Sequence, residues 1–77
     1  MKIYILTCIS ECGQLVTCKS YKRLSEAQVV MRAVASAESN VFQRIGRPGC
    51  YSEIGERVSA VGDEEYCYIW NITEDEI

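Results

Sequence analysis

The sequence predicts one α+β domain, in which a four-stranded, mainly antiparallel sheet carries one long helix on one face, in the order ββαββ. Three observations predict this fold. Four segments are rich in strand-forming residues, one central segment repeats its apolar residues with a helical period, and no linker, repeat or low-complexity stretch interrupts the 77 residues. With 48% hydrophobic and 25% charged residues, residues 1–77 have the composition of a single globular domain.

The first two strands are predicted over residues 2–10 and 14–20, which are rich in β-branched and aromatic side chains. The sequence Ser-Glu-Cys-Gly, ending at Gly13, suits a type I turn followed by a left-handed bulge residue. These strands therefore form a predicted hairpin. A three-residue loop would place Leu6 opposite Cys18.

The helix is predicted over residues 25–45, where apolar residues recur at steps of three and four. Ser25 and Gln28 have the spacing of a capping box at its start. Gly46 can cap its end, and Pro48 prevents its continuation.

The second half of the sheet is predicted from two further segments. Residues 46–53 are expected to form a loop, and residues 54–61 a weaker strand with an irregular start at Gly55. Residues 66–73 make the strongest predicted strand, because aromatic and β-branched side chains follow one another there. The acidic tail that follows is expected to fray.

The first and last strands are apolar on both faces, although a single helix can cover only one face of a sheet. The alternating sets are Ile3, Ile5 and Ile9 against Tyr4, Leu6 and Cys8 in the first strand, and Tyr66, Tyr68 and Trp70 against Cys67 and Ile69 in the last. The uncovered face would exceed the apolar patch that monomers usually expose. We therefore predict a homodimer, with the aromatic row either in the core or at the centre of the dimer interface.

Five cysteines and no histidine limit the possible redox and metal chemistry. The cysteines are Cys8, Cys12, Cys18, Cys50 and Cys67. The short apolar N-terminal stretch predicts a strand rather than a secretion signal, so we expect a cytoplasmic protein with free thiols. Cys8 and Cys12 have the spacing of a zinc-ligand pair, but a second pair is missing. A zinc-stabilised module therefore stays an alternative, and no cofactor is predicted.

No motif predicts catalysis or insertion into a membrane. Histidine, the usual general base, is absent, and the sequence contains no phosphate-binding loop or nucleophile elbow. The carboxylates cluster at Asp63, Glu64 and Glu65 and again in the tail, where charge runs are usually solvated. No apolar run is long enough to span a bilayer. We therefore predict that the protein is not an enzyme.

A nucleic-acid or nucleotide site is the second hypothesis. Lys19, Tyr21, Lys22 and Arg23 place basic side chains around an aromatic ring, which suits contact with phosphate and base. The acidic pI of about 4.8 argues against it, since nucleic-acid-binding domains usually carry a basic footprint.

Several segments form a recognisable set: residues 1–8 (MKIYILTC) and 18–21 (CKSY), Ala27 and Met31 in the helix, and residues 68–72 (YIWNI). Taken together, they resemble small uncharacterised proteins of gut anaerobic bacteria, their phages and mobile elements. The resemblance implies a setting and no site residues. Short acidic proteins of this kind often act by binding another protein, and they include inhibitors of host defence such as anti-CRISPR proteins.

The sequence thus predicts a small, non-catalytic phage or mobile-element accessory protein that acts by stoichiometric protein–protein interaction, with itself and with another protein. An inhibitor of a host defence system is one form of this hypothesis. Carboxylates would suit the basic nucleic-acid channel of a host enzyme. The predicted interaction residues are Tyr66, Tyr68, Trp70, Asp63, Glu64 and Glu65.

Overall fold

Five antiparallel strands form one sheet, and a single helix packs across one of its faces, in a computed structural model that describes residues 1–77. The elements are β1 (Lys2–Ser10), β2 (Leu15–Tyr21), α1 (Leu24–Ile45), β3 (Tyr51–Ile54), β4 (Val58–Gly62) and β5 (Cys67–Glu76). The strand order is β2-β1-β5-β4-β3, and every neighbouring pair is antiparallel. The predicted α+β class, with one helix on one face of the sheet, is confirmed.

The predicted number of strands and the order ββαββ are wrong, because the sheet has a fifth strand. Tyr51–Ile54 forms β3 within and just after the segment predicted to be a loop. The predicted strand 54–61 is divided, and only its last part belongs to β4, which runs over Val58–Gly62. The Gly55 N–H donates to the carbonyl of Val58 at 3.1 Å and closes the turn between the two strands. A four-residue edge strand depends on pairing with its neighbour, which the local sequence does not encode.

The register of the first hairpin differs from the prediction by one residue. Leu6 lies opposite Lys19 rather than Cys18, and a register shift follows directly after Cys8. Such a bulge adds one residue to one strand and shifts the pairing. Cys18 is therefore opposite Thr7, on the other face of the sheet from Cys8.

The predicted capping box at the start of α1 does not form. The helix begins one residue early, so Arg23 is the N-cap, in an extended conformation and without a side-chain cap hydrogen bond. Ser25 lies inside the first turn, and the Gln28 side-chain amide instead donates to the carbonyl of Glu56 at 3.1 Å. The end of the helix is as predicted, with Gly46 in the left-handed region at φ 74°.

The acidic tail is part of the sheet, contrary to the expectation that it would fray. β5 continues to Glu76, which pairs with Lys2 of β1. Met1 and Ile77 exchange hydrogen bonds, from the terminal ammonium group at 2.9 Å and from the Ile77 N–H at 2.8 Å. Pairing with β1 satisfies backbone groups that a free tail would leave to solvent.

The core lies between α1 and the Tyr4–Leu6–Cys8 side of the sheet. The buried apolar residues are Leu6, Cys8, Ala27, Met31, Ala35, Phe42, Val61, Trp70 and Ile72. Ala27 and Ala35 bring the helix close to the sheet because their side chains are small. Only 13 of the 77 residues are buried, so this core is thin. The helix is not both long and apolar enough to cross a membrane.

Candidate functional site

The second face of the sheet carries no covering layer and is apolar along its centre. Ile9 of β1, Ile69 of β5 and Ala60 of β4 form a row across three strands. Ile69 is 44% exposed, which is high for an isoleucine in a central strand. We call this surface the open face. Its residues are Ile3, Ile5, Thr7, Ile9, Val58, Ala60, Cys67, Ile69, Asn71 and Thr73.

No charged side chain lies within the open face, and the first charged side chains lie at its margins. Glu53 on β3 pairs with Ala60, and Asp75 near the end of β5 pairs with Ile3. Among the polar residues, Thr7 already donates its hydroxyl hydrogen to the carbonyl of Asn71 at 3.3 Å. An apolar, uncharged centre with charges at the edge is the composition of the core and rim of a protein interface.

The aromatic row predicted from the sequence does not lie on the open face. Trp70 is 2% exposed beneath the helix, and Tyr68 packs edge-on against Phe42 with ring centroids 6.2 Å apart. Tyr66 lies in the turn before β5 and is 52% exposed, with the Arg47 guanidinium 5.0 Å from its ring centroid. Of the two predicted placements, the structure assigns the core to Trp70 and to the partly buried Tyr68, and Tyr66 lies outside the core.

In the acidic turn between β4 and β5, Asp63 is buried and hydrogen-bonded, and Glu65 Oε2 lies 3.8 Å from Arg47 Nε. Asp63 Oδ1 accepts hydrogen bonds from the N–H groups of Glu65 at 2.8 Å and Tyr66 at 2.9 Å, and Oδ2 accepts one from Arg47 Nε at 2.7 Å. Burial by itself would raise the pKa of Asp63, but these donors and the Arg47 charge together hold it below its usual value. Asp63 therefore stabilises the turn, and the side chains of Glu64 and Glu65 remain exposed.

The residues of the nucleic-acid hypothesis are divided between an edge strand and a connection. Lys19 and Tyr21 lie on the helix-covered side of β2, and Tyr21 is half-buried against the core. Lys22 and Arg23 are exposed between β2 and α1, with Arg23 Nε 4.0 Å from Glu26. A ring packed against the core is a poor platform for stacking a base.

All five thiols are free, and they are spread over the molecule. Cys8 is buried under α1, Cys18 and Cys67 lie on the open-face side, and Cys12 and Cys50 lie in loops. No three cysteine, aspartate or glutamate side chains lie close enough together to hold a metal ion. The zinc hypothesis therefore has no ligand cluster in this fold.

The chain matches no protein-family model, no curated protein and no solved structure. The functional argument therefore rests on the geometry of the molecule. Its main feature is an apolar sheet face with no cover.

The alternation of residues predicts part of the open face and misses the rest. It identifies Ile3, Ile5 and Ile9 in the first strand, and Cys67 and Ile69 in the last, as alternating apolar sets, and the structure assigns both sets to the open face. Val58 and Ala60 are missing from the prediction, although their period-two spacing is a strand signal. The residues before them belong to β3 and a turn, which hides the alternation.

Proposed function

We propose that the protein is a non-catalytic protein-binding module that acts through the open face. The observation that carries this proposal is the row of exposed apolar residues, among them Ile9 and Ile69, with no charge between them. Monomers rarely leave such a surface uncovered unless it binds something. The absence of histidine and of an acid–base motif in the sequence favours binding over catalysis.

The dimensions of the molecule support an interface on this face. Its extents are 44, 22 and 14 Å, so it is a slab of one helix layer on one sheet layer. One broad side of this slab is the open face, which leaves a partner a continuous surface for packing sheet on sheet.

The first partner in this proposal is a second copy of the chain. A two-fold axis would bring the same apolar row of both copies together, and the uncharged centre avoids placing like charges opposite one another. Covering the face would also add buried apolar surface to a chain that buries few residues. Such burial stabilises by about 25 cal/mol per Å² of apolar surface. The proposed state is therefore a homodimer with sheet packed on sheet.

The second partner in this proposal is another protein, approached through the acidic margin. Glu64 and Glu65 are exposed beside the buried Asp63, and Glu74, Asp75 and Glu76 lie at the other end of β5. Such a surface complements a basic channel on a host enzyme. Together with the resemblance to proteins of phages and mobile elements, this supports a stoichiometric inhibitor of a host defence system acting in the cytoplasm.

Light scattering after size exclusion tests the homodimer. At tens of micromolar, we expect twice the 8.7 kDa chain mass for the wild type and the single-chain mass for Ile69→Glu. Val29→Glu is the matched control, because Val29 is 61% exposed on the outer side of α1. Circular dichroism verifies that both variants fold. A wild-type mass of one chain contradicts the homodimer, and a dimeric Ile69→Glu contradicts its placement on the open face.

A pull-down from host lysate tests the second partner. We expect the immobilised wild type to retain one protein at low salt and to release it as the salt concentration rises, because exposed charges are screened. Glu64→Gln with Glu65→Gln should lower the salt at which the partner is released, and Val29→Glu should leave it unchanged. If no protein is retained at low salt, the inhibitor hypothesis is overturned.

A further inference from the structure

A cavity of about 200 Å³ lies on the covered side of the sheet, between α1 and the β1–β2 hairpin. Leu6, Cys8 and Trp70 supply apolar groups from the sheet, Val34 contributes from the helix, and Lys19 contributes from edge strand β2. This is the most enclosed concave site in the molecule, and it is separate from the open face.

Lys19 gives this apolar cavity one unpaired charge. Its side chain lines the cavity, and no carboxylate lies within ion-pair distance of its ammonium group. A lysine stem commonly lies along apolar surface while its charged end stays in water. The cavity therefore combines an apolar interior with a cation that can pair with an anion.

The groups nearest the interior add no charge of their own. Burial raises the pKa of the Cys8 thiol, and the charge of Glu38 raises it further, so this thiol stays neutral at physiological pH. Glu38 does not line the cavity, so Lys19 is its one charged lining residue. An anionic ligand would therefore turn its charge away from Cys8 and towards Lys19.

The volume limits the ligand to a small molecule. A dry apolar cavity of roughly 150 Å³ is enough to bind benzene, so about 200 Å³ holds one aromatic ring or a short alkyl chain. Larger aromatic systems would not fit without movement of the helix.

We propose that this cavity binds a small monocarboxylate whose ring or short chain contacts Trp70 and whose carboxylate pairs with Lys19. This site does not depend on the proposed function of the open face. Both can be present in one molecule, and each can fail without the other.

Intrinsic fluorescence provides a direct test, because Trp70 is the only tryptophan and lies against the cavity. The probes are benzoate and benzyl alcohol, which share one aromatic ring and differ in charge. We expect a saturable change in the emission with the acid at millimolar concentrations. The alcohol should bind about two- to fivefold more weakly, which is the range expected of one exposed ion pair.

Two variants locate the ligand, and one serves as their control. Lys19→Gln should remove the preference for the acid and leave the affinity for the alcohol unchanged. Val34→Phe should abolish saturable binding of both probes, because the larger ring fills the cavity from the helix side. Lys22→Gln is the matched control, because Lys22 is exposed and does not line the cavity.

Each result decides part of the proposal, once circular dichroism has shown that the variants fold. An emission that does not saturate with either probe overturns the site. Equal affinity for acid and alcohol, or an acid preference that survives Lys19→Gln, overturns the carboxylate assignment. Unchanged binding by Val34→Phe overturns the location. None of these results depends on the oligomeric state, so failure here is distinguishable from failure of the homodimer.

Discussion

The two faces of this sheet are made from alternate residues of the same strands, yet only one of them is a core. On β5, Trp70 is almost fully buried under the helix, and its neighbour Ile69 points to the uncovered side. Both are large apolar residues with high strand propensity. The hydropathy of a residue therefore does not determine which of the two environments it occupies in this protein.

The difference between the faces lies in what packs against them. The covered face receives Ala27, Met31 and Ala35 from α1, and these are fully buried. The open face receives no element, and Thr7 and Asn71 lie beside its apolar row. One face thus has the packing of a protein interior, and the other has the composition of an interface still to be filled.

The largest expected effect is a difference in the free energy of unfolding between a substitution on the covered face and one on the open face. Trp70→Ala should lower the free energy of unfolding by about 3–5 kcal/mol, because it leaves a cavity in the core. Ile69→Ala should cost less than about 1 kcal/mol in the monomer, because a large part of that side chain is already exposed to water. Urea unfolding, at protein concentrations below the dissociation constant of the proposed dimer, measures the unfolding free energy of both variants. Equal costs for the two substitutions would contradict the assignment of the faces.

Acid should destabilise the turn between β4 and β5, which contains Asp63. The pKa of Asp63 is lowered in the folded protein, so its contribution to stability is present above the unfolded-state value of 3.8 and is lost as the pH falls through the folded-state value. We expect the unfolding temperature of the wild type to fall as the pH drops below 3.8, and Asp63→Asn to reduce that fall. Glu64→Gln is the control. A pH dependence in Asp63→Asn identical to that of the wild type would contradict this role.

Thiol reactivity should distinguish the faces residue by residue. Iodoacetamide should modify Cys18 on the open-face side many times faster than Cys8, whose burial raises its pKa. Cys12 serves as an internal fast reference, because the Ser10 hydroxyl, 3.1 Å from its sulfur, lowers its pKa. Peptide mapping by mass spectrometry gives the rates. Cys67 lies on the open face, so its modification should slow as the protein concentration rises and the proposed dimer forms. A rate independent of protein concentration would contradict dimerisation through this face.

The smallest expected effect concerns the covering helix alone. Arg23 is an N-cap without a side-chain hydrogen bond, so Arg23→Ser should raise the free energy of unfolding by about 0.5 kcal/mol. The substitution is remote from the open face, so the dissociation constant of the proposed dimer should not change. Lys22→Ser, one residue before the cap, is the control and should give no gain. Thermal unfolding monitored by circular dichroism has the necessary precision, and a gain of equal size in both variants would contradict the capping explanation.

Much of the local structure follows from the sequence because its signals are local. β1 occupies residues 2–10 as predicted, since nearly every residue there is β-branched, aromatic or otherwise apolar. The helix ends at Gly46, where a left-handed residue is needed and glycine adopts that conformation without strain. The existence of an apolar face without a cover also follows from the sequence, because alternation places Ile3, Ile5 and Ile9 on one side.

The remaining features depend on contacts between segments that are distant in the chain. β3 exists because it pairs with β4, and the tail is ordered because Glu76 pairs with Lys2. The bulge after Cys8 sets the register of β2 and so brings Lys19 to the covered side, where it lines the cavity beside Trp70. None of these pairings leaves a periodic pattern in the local sequence.

The sequence by itself determined the alternation of apolar residues, the helical period and the turns, because each of these is set by a residue and its near neighbours. Only the tertiary structure decided that the helix covers the Tyr4–Leu6–Cys8 side and leaves the isoleucine side open. Both sides are apolar, so hydrophobicity does not choose between them. The choice depends on how the side chains of α1, small at Ala27 and Ala35 and large at Met31 and Phe42, fit against the sheet.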